Sequence, residues 1–325
     1  MTVSCPDVEK EGSSASRFAK KHPVLIAAPG AGLGHLVRAW AISSELSKLG
    51  IGARVVTHST YAHGLSRLTG CAIDFIPASR WKQAISSYCE KAKPDLVVLD
   101  TFPWGIRGEW AHAVAHRSQI ILLARRLNVS AYLHAAGMQW YASSPVPQHV
   151  IVSEPLSLDY RGLLEASACR LDVLPGRIRL VLDDLPWRKP PGLVKRLLQK
   201  PTWLVVHSGP AEEVGRLLAL ARDDMKGCGD GQIIAIVPEE ARFPGVLTFQ
   251  FFPAALLYPY AHRVVTAAGY NCIAETAPWR EKHLGMPFSR RYDEQEERFR
   301  EARTDSDADR ENGVYQTARH IASLL

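Results

Sequence analysis

An apolar run that leads through a glycine-rich turn into a helical pattern constrains this sequence more than any other segment. Residues 23–28 read PVLIAA without a polar break, and such a run is typical of a strand buried on both faces of a parallel sheet. After the turn at 29–34, residues 35–49 carry apolar side chains at helical spacing, and Gly50 stands where a helix commonly ends. A strand that runs directly into a helix predicts an α/β protein.

The same pattern of strand and helix recurs along both halves of the 325-residue chain. An amphipathic helix is predicted over 211–222, and further strands are predicted at residues 53–57, 96–99, 120–123, 203–207, 233–237, 246–251 and 264–266. Residues 183–192 are rich in Pro and charge, which excludes a helix interior or a central strand, so we interpret them as a linker. The sequence predicts a mobile tail at residues 1–20 and two domains, at 21–190 and 191–325.

Composition and charge narrow the class of protein. The chain is 46% hydrophobic and 22% charged, which excludes a disordered or coiled-coil protein. No apolar run approaches the ~18 residues needed to cross a bilayer, so we expect a soluble, cytoplasmic protein. The net charge of +6 suits an acidic ligand or an anionic membrane surface, but isolated basic pairs argue against nucleic-acid binding. Six scattered cysteines without a C-x-x-C pair indicate neither a zinc ribbon nor a redox centre.

The first glycine turn excludes several common enzyme classes. It reads Gly30-x-Gly32-x-Gly34-His35 rather than the G-x-G-x-x-G of dinucleotide folds, and the second strand ends without the acidic residue that would hold a ribose. Nicotinamide chemistry is therefore disfavoured. The signatures of P-loop NTPases, zincins and esterases are also missing from the sequence.

His35 is the first candidate catalytic residue. The turn brings it to the start of a helix, at the carboxyl edge of a parallel sheet, where open α/β sheets bind ligands. The positive end of the helix would lower the imidazole pKa and keep the ring neutral and able to accept a proton. The alternative is an ordinary histidine beside a tight turn.

A second strand, glycine turn and helix follow near the C-terminus. The strand 264–266 leads into Gly269-Tyr270-Asn271, and Glu275 lies one turn inside the predicted helix. Free backbone N–H groups at such a turn suit an anion, and the Glu275 carboxylate could accept hydrogen bonds from a ribose diol. The alternative is a first-turn glutamate stabilised by the helix dipole.

A third feature is the basic pair Arg290-Arg291, followed by Asp293, Glu294 and Gln295. Without further context, Asp293 could be a helix N-cap and Gln295 a residue that faces solvent.

In this order, the motifs resemble those of the GT-B glycosyltransferases. They are most similar to the glycosyltransferase 28-like branch, which contains the N-acetylglucosaminyltransferase of peptidoglycan synthesis, and to its uncharacterised relatives. The resemblance covers roughly residues 22–303 and rests on Gly30-x-Gly32-x-Gly34-His35-x-x-Arg38, 100–109, 207–209, 267–275, 285–287 and 293–295. It implies a GT-B fold, in which two Rossmann-like parallel-sheet domains face a central cleft.

The resemblance also implies roles for individual residues. The first domain would bind the acceptor, with Gly32 and Gly34 in a phosphate turn and His35 near the reacting centre. The second would bind the nucleotide-sugar donor: the diphosphate at Ser208, Gly209, Gly269, Tyr270 and Asn271, the ribose at Glu275, and the donor sugar at Glu294 and Gln295.

The mechanism we expect is inverting transfer of a sugar from a UDP-linked donor to an acceptor hydroxyl, without a metal or another cofactor. His35 is the leading base, and Asp100 and Glu109 are the candidates to orient or replace it, since both lie at or just after the end of a predicted strand. Neither the pair Asp183-Asp184 nor the alternating Asp305, Asp307 and Asp309 forms a clear metal cluster.

Two alternative functions are a nucleotide-sugar hydrolase that activates water with His35 and a non-catalytic nucleotide-sugar-binding protein. The acceptor and any contact with an anionic membrane surface stay open.

Overall fold

The computed structural model describes residues 23–110, 118–136, 147–167, 170–174, 176–183, 185, 191–237, 243–304 and 311–325. The expected tail, most of the expected linker, and Asp305, Asp307 and Asp309 lie outside the described residues.

The first half of the chain forms a seven-stranded parallel sheet in the order β3-β2-β1-β4-β5-β6-β7. Its strands are β1 (Val24–Ala28), β2 (Ala53–Thr57), β3 (Ile73–Phe75), β4 (Leu96–Asp100), β5 (Gln119–Ala124), β6 (His149–Val152) and β7 (Arg170–Val173). Its helices are α1 (Leu33–Lys48), α2 (Ala62–Thr69), α3 (Trp81–Ala92), α4 (Val129–Ala136) and α5 (Leu158–Ala166).

The second half forms a five-stranded parallel sheet in the order β10-β9-β8-β11-β12. Its strands are β8 (Thr202–Val206), β9 (Gln232–Ile236), β10 (Leu247–Phe249), β11 (Arg263–Ala267) and β12 (His283–Met286). The helices are α6 (Pro191–Gln199), α7 (Ala211–Met225), α8 (Tyr270–Glu275), α9 (Gln295–Thr304) and α10 (Gly313–Ser323), with 3₁₀ segments at Ala254–Tyr260 and Ala277–Lys282. Two parallel-sheet α/β domains confirm the predicted fold class.

The strand β1 illustrates why these runs become central strands. Val24 and Ile26 pack into the core on one face of the first sheet, and Leu25 and Ala27 into the core on the other face. Because successive side chains of a strand point to opposite faces, an unbroken apolar run fits a sheet that is covered on both sides. Helix α1 covers one face and begins at Leu33, two residues before the predicted start.

The last helix, α10, packs on the first sheet although it follows the second one in the chain. Val314, Ala318 and Ile321 lie along one side of α10 and share a buried core with Leu36 and Ile42 of α1. Their spacing of three and four residues gives an apolar stripe that α1 can cover. The division at residue 190 stays a prediction, and α10 packs on α1 of the first half.

Buried ion pairs connect the two halves. The guanidinium of Arg298, on α9, donates two hydrogen bonds of 2.8 Å to the Glu154 carboxylate and one of 2.7 Å to Asp293. Arg125 donates to the same Asp293 oxygen at 3.0 Å. The side chains of Arg298 and Glu154 are 0% exposed, so neither charge can be solvated if its partner is lost. This network fixes α9 against the first half.

The described helices include none that is both long and apolar enough to span a bilayer.

Removing the Arg298 guanidinium should destabilise the protein strongly. We expect Arg298→Met to lower the free energy of unfolding by about 3–5 kcal/mol, since it leaves the Glu154 carboxylate buried without its main partner. Arg300→Met is the matched control on the same helix, because Arg300 pairs with Glu297 in an exposed position. We expect that control to cost less than about 1 kcal/mol. Denaturant titration measures both, and equal losses would contradict the assignment.

Candidate active site

The sequence motifs come together at corresponding points of the two sheets. In each sheet the strand order reverses between two neighbours, β1 and β4 in the first and β8 and β11 in the second. We call each of these two places a switch point. Open α/β sheets bind ligands in the crevice at the carboxyl ends of such strand pairs. His35 follows β1 and Asp100 ends β4, whereas Ser208 follows β8 and Gly269 follows β11. Both motif groups therefore lie where this architecture places binding sites.

The structure joins His35 to Asp100. The His35 Nδ1 and Asp100 Oδ2 atoms are 2.9 Å apart, and the Thr101 hydroxyl donates to the other Asp100 oxygen at 2.9 Å. A carboxylate accepts only, so Nδ1 carries the proton and Nε2 keeps its lone pair. Thr101 has a φ of 74°, a conformation that is rare for a β-branched residue. Such strained backbone often occurs beside functional groups.

The electrostatics of this pair suit a neutral base held by an anion. Burial lowers the pKa of His35, Asp100 opposes the shift, and Arg38 and Arg125 lower it further. Burial alone would raise the pKa of Asp100, but Arg38 and His35 outweigh it and hold it well below its usual range. At neutral pH the imidazole is therefore uncharged and the carboxylate is ionised. Burial is the largest cause of the shift in the His35 pKa.

Glu109 is not hydrogen-bonded to His35 or Asp100 among the described residues, and its use as an alternative base stays a prediction. Its carboxylate accepts hydrogen bonds from the Trp81 indole at 2.7 Å and from the backbone N–H groups of Ile106 and Arg107 at 3.1 and 2.7 Å. A Cβ atom on Gly105 would lie 2.3 Å from the Glu109 carboxyl carbon. Both oxygens are thus used to hold this turn.

Arg38 links the two halves at the site, a role that the sequence left unassigned. Its guanidinium donates to Asp100 at 2.7 Å and to the Asn271 side-chain oxygen at 2.8 Å. The Asn271 amide in turn donates to the Gly34 carbonyl at 3.1 Å. Arg38 also lies over the ring of Tyr270, 4.9 Å from its centroid. The start of α8 is therefore attached directly to α1.

The negative charge of the Glu275 carboxylate has no positively charged partner among the described residues. It lies at the end of α8, partly exposed, and forms neither a hydrogen bond nor an ion pair with any residue that the structure describes. Burial raises its pKa to about 7. A carboxylate in a partly desolvated position with nothing to pair with is available to a ligand.

The loop after β8 carries compensated charges. A Cβ atom on Gly209 would lie 2.4 Å from His207 Nε2, so a larger residue would have to displace the His207 ring. His207 contacts the Glu213 carboxylate at 2.7 Å, and Arg290 pairs with both Glu213 oxygens. Ser208 is exposed beside this group. The Arg290 guanidinium thus stands close to the loop.

The side chains at 293–295 are already engaged. Gln295 is buried rather than facing solvent, and its side-chain oxygen accepts the Phe288 N–H at 3.0 Å. Glu294 pairs with Arg126 at 3.5 Å. The Asp293 carboxylate accepts hydrogen bonds from Arg125 and Arg298. These arginines hold the pKa of Asp293 far below the usual range, although burial alone would raise it.

The first glycine turn holds a residue that the sequence did not single out. The Gly30 N–H donates to His58 Nε2 at 2.8 Å, at the place where dinucleotide folds carry an acidic residue. Gly32 is exposed at the start of α1, and the use of Gly32 and Gly34 as a phosphate turn stays a prediction.

Comparison with solved structures defines the fold. No protein-family model matches the chain, and no curated protein matches its sequence. The glycosyltransferase SnogD from Streptomyces nogalater is 11% identical, over 94% of this chain and 95% of that one, with a TM-score of 0.55. The glycosyltransferase SsfS6 from Streptomyces sp. SF2575, complexed with thymidine diphosphate, is 14% identical over 92% and 85%, with a TM-score of 0.52. The UDP-GlcNAc 2-epimerase from Methanocaldococcus jannaschii is 10% identical over 92% and 99%, with a TM-score of 0.56.

The two parallel-sheet domains are those of the GT-B glycosyltransferase fold, as the motifs predicted. Identities of this size define the fold alone. The peptidoglycan branch therefore remains a resemblance of sequence motifs.

The protonation of His35 can be measured directly. We expect NMR of labelled histidine to give His35 a pKa below its ordinary value of 6.5, with the proton on Nδ1. Asp100→Asn removes the charge that opposes the shift, so the pKa should fall further. The signal that disappears in His35→Gln assigns the resonance. A pKa above 6.5, or a rise in Asp100→Asn, would contradict the proposed environment.

Proposed function

We propose that this protein is a glycosyltransferase that moves a sugar from a nucleoside-diphosphate donor to an acceptor hydroxyl. The donor that we propose is a UDP-sugar. The observation that carries the proposal is the unpaired Glu275 carboxylate on a helix that Arg38 attaches to the helix of His35. One switch point thus offers a group for a ribose and the other a neutral base. The fold neighbour SsfS6, solved with thymidine diphosphate, supports a nucleotide in this architecture.

The donor would bind on the second half. Glu275 would accept hydrogen bonds from the two ribose hydroxyls, which are charge-assisted and therefore strong. The diphosphate would lie between the Ser208-Gly209 loop and the turn at Gly269, where the first N–H groups of α8 lack partners within the helix. Arg290 pairs with Glu213 beside this loop and is partly exposed, so it would supply a positive charge by turning from Glu213 toward the diphosphate.

The chemistry would require one proton transfer and stabilisation of the leaving group. His35 Nε2 would remove the proton of the acceptor hydroxyl while that oxygen attacks the anomeric carbon and the bond to the diphosphate breaks. Asp100 would orient the ring and stabilise the imidazolium that forms. Backbone dipoles and Arg290 would balance the charge on the departing nucleotide, so the proposal does not depend on a metal. Direct attack opposite the leaving group inverts the anomeric centre.

Hydrolysis is the second candidate, because a histidine held by an aspartate can activate water as well as an alcohol. One structural feature favours transfer. The Phe102 ring stacks beside His35 at 6.0 Å between centroids, and Tyr292 packs edge-on against Phe102 at 5.7 Å. Because Phe102 is buried, this wall keeps bulk water from one side of the base. A non-catalytic nucleotide-sugar-binding protein would need Glu275 but not the His35–Asp100 pair.

Glu275→Gln should weaken nucleotide binding and stabilise the protein. Loss of the charged acceptor should reduce UDP affinity ten- to hundredfold, about 1.5–3 kcal/mol, in calorimetry. Between pH 4.5 and 7 the folded protein holds a proton at Glu275 that the unfolded chain releases, so stability falls as pH rises through this window. At pH 8 the variant should therefore be more stable by about 1–3 kcal/mol.

The control for this variant is Glu281→Gln, at an exposed position in the adjacent 3₁₀ segment, which should change neither property. Wild-type affinity for UDP should also fall between pH 8 and 6, as Glu275 gains a proton. The nucleotide itself also titrates, but it does so equally with the wild type and with the Glu275→Gln variant. The difference between the two curves of UDP affinity against pH therefore measures the titration of Glu275. Unchanged UDP affinity in a folded Glu275→Gln protein would remove this residue from the site.

Turnover without an acceptor separates transfer from hydrolysis. Given a UDP-sugar alone, a transferase should release UDP slowly, because water lacks the binding energy that positions an acceptor. In either reaction His35→Ala should reduce turnover by ~10²–10⁴ and leave UDP affinity nearly unchanged. His134→Ala, at an exposed position on α4, is the matched control. Fast release of UDP with equal free sugar would favour hydrolysis, and full activity of His35→Ala would exclude His35 as the base.

A further inference from the structure

A second group of histidines lies far from the candidate active site. His149 begins β6, Asp172 lies in β7 and His320 lies in the last turns of α10. His149 pairs in register with Arg170, so the side chains of His149 and Asp172 are on the same face of the sheet. One ligand atom from each of these three residues lies within 4.8 Å of the other two. They converge at the starting end of β6, whereas the active-site residues follow the carboxyl ends of their strands.

The polar atoms of this group have no protein partner that satisfies them. His149 Nδ1, Asp172 Oδ2 and His320 Nε2 are all shielded from solvent and form no hydrogen bond in the part of the chain that the structure describes. Asp172 Oδ2 and His320 Nε2 are 3.4 Å apart, without the geometry of a hydrogen bond. Buried polar groups almost always have hydrogen-bond partners. Three unsatisfied polar atoms at one place therefore indicate that a ligand belongs between them.

An internal charge pair does not account for the group. The Asp172 Oδ2 and His320 Nε2 atoms do not form a hydrogen bond with each other, and Arg170 contacts only the other carboxylate oxygen, at 3.3 Å. Two imidazole rings and a carboxylate, each with an unsatisfied atom at one place, form a set of potential metal ligands.

We propose that His149, Asp172 and His320 bind a divalent transition-metal ion of the Zn²⁺ class. Two imidazoles and one carboxylate are characteristic ligands of zinc, whereas Mg²⁺ and Ca²⁺ prefer oxygen alone. Ligand atoms about 2.0–2.1 Å from a tetrahedral ion lie roughly 3.4 Å apart, which is the spacing of Asp172 Oδ2 and His320 Nε2. Water would complete the fourth position.

The ion would hold α10 on the first sheet. Its ligands come from two adjacent strands and from a helix about 150 residues later in the chain, beside the apolar stripe by which α10 packs on α1. The bound ion would therefore stabilise the crossing of the C-terminal helix and leave nucleotide binding unaffected. This inference does not depend on the proposed glycosyltransferase activity.

The test uses the full chain, freed of metal by a chelator that is then removed. Titration with ZnCl2 should show one saturable site, and the melting temperature should rise with Zn²⁺ concentration because the ion binds the folded state. CoCl2 should give the intense visible absorption of four-coordinate Co²⁺. Asp172→Asn, which keeps the shape of the side chain, and His320→Gln should each weaken binding at least tenfold, with UDP binding unchanged.

His134→Ala is the matched control and should bind Zn²⁺ as the wild type does. Circular dichroism of the metal-free variants establishes that they are folded, and two independent variants keep the test valid if one is not. Absence of saturable binding would overturn the proposal, as would Zn²⁺ affinity that is the same in Asp172→Asn, His320→Gln and His134→Ala.

Discussion

Arg38 donates to Asp100 in the first half of the molecule at 2.7 Å and to Asn271 in the second half at 2.8 Å. The guanidinium can do both because its donors are held in a rigid planar fork, which a lysine could not reproduce. On α1 it follows His35 by one turn, and Asn271 precedes Glu275 by one turn on α8. The buried Arg38 side chain thereby fixes the positions of His35, Asp100 and Glu275 relative to one another.

Charge compensation differs between the carboxylates that hold the structure together and the one that we propose binds the ribose. The carboxylates of Glu154 and Asp293 lie against arginines, which keep their pKa values below the usual range despite burial. Glu275 has no such partner among the residues that the structure describes, and burial raises its pKa to about 7. An unpaired carboxylate costs stability, and such a cost is typical of sites that evolution retains for binding. The same reasoning applies to the unsatisfied atoms around His320.

The sequence predicted those features that depend on short segments of chain. Apolar runs and glycine turns predicted both sheets, and because parallel strands end at a common edge, His35 and Asp100 could be expected to meet. Glu109 shared that edge, but its orientation depends on the turn at Gly105, which local patterns do not reveal. The pairing of Glu154 with Arg298 joins positions far apart in the chain, and no spacing rule indicates it. The histidine and aspartate group at β6, β7 and α10 was missed for the same reason.

In the proposed complex the nucleotide lies between the two switch points, with its ribose on Glu275 and its diphosphate facing His35. A crystal structure of the protein with UDP tests this most directly. We expect ribose hydroxyl oxygens about 2.5–3.0 Å from the Glu275 carboxylate and phosphate oxygens beside Gly209 and Gly269. A nucleotide bound elsewhere, with Glu275 left without a ligand contact, would contradict it.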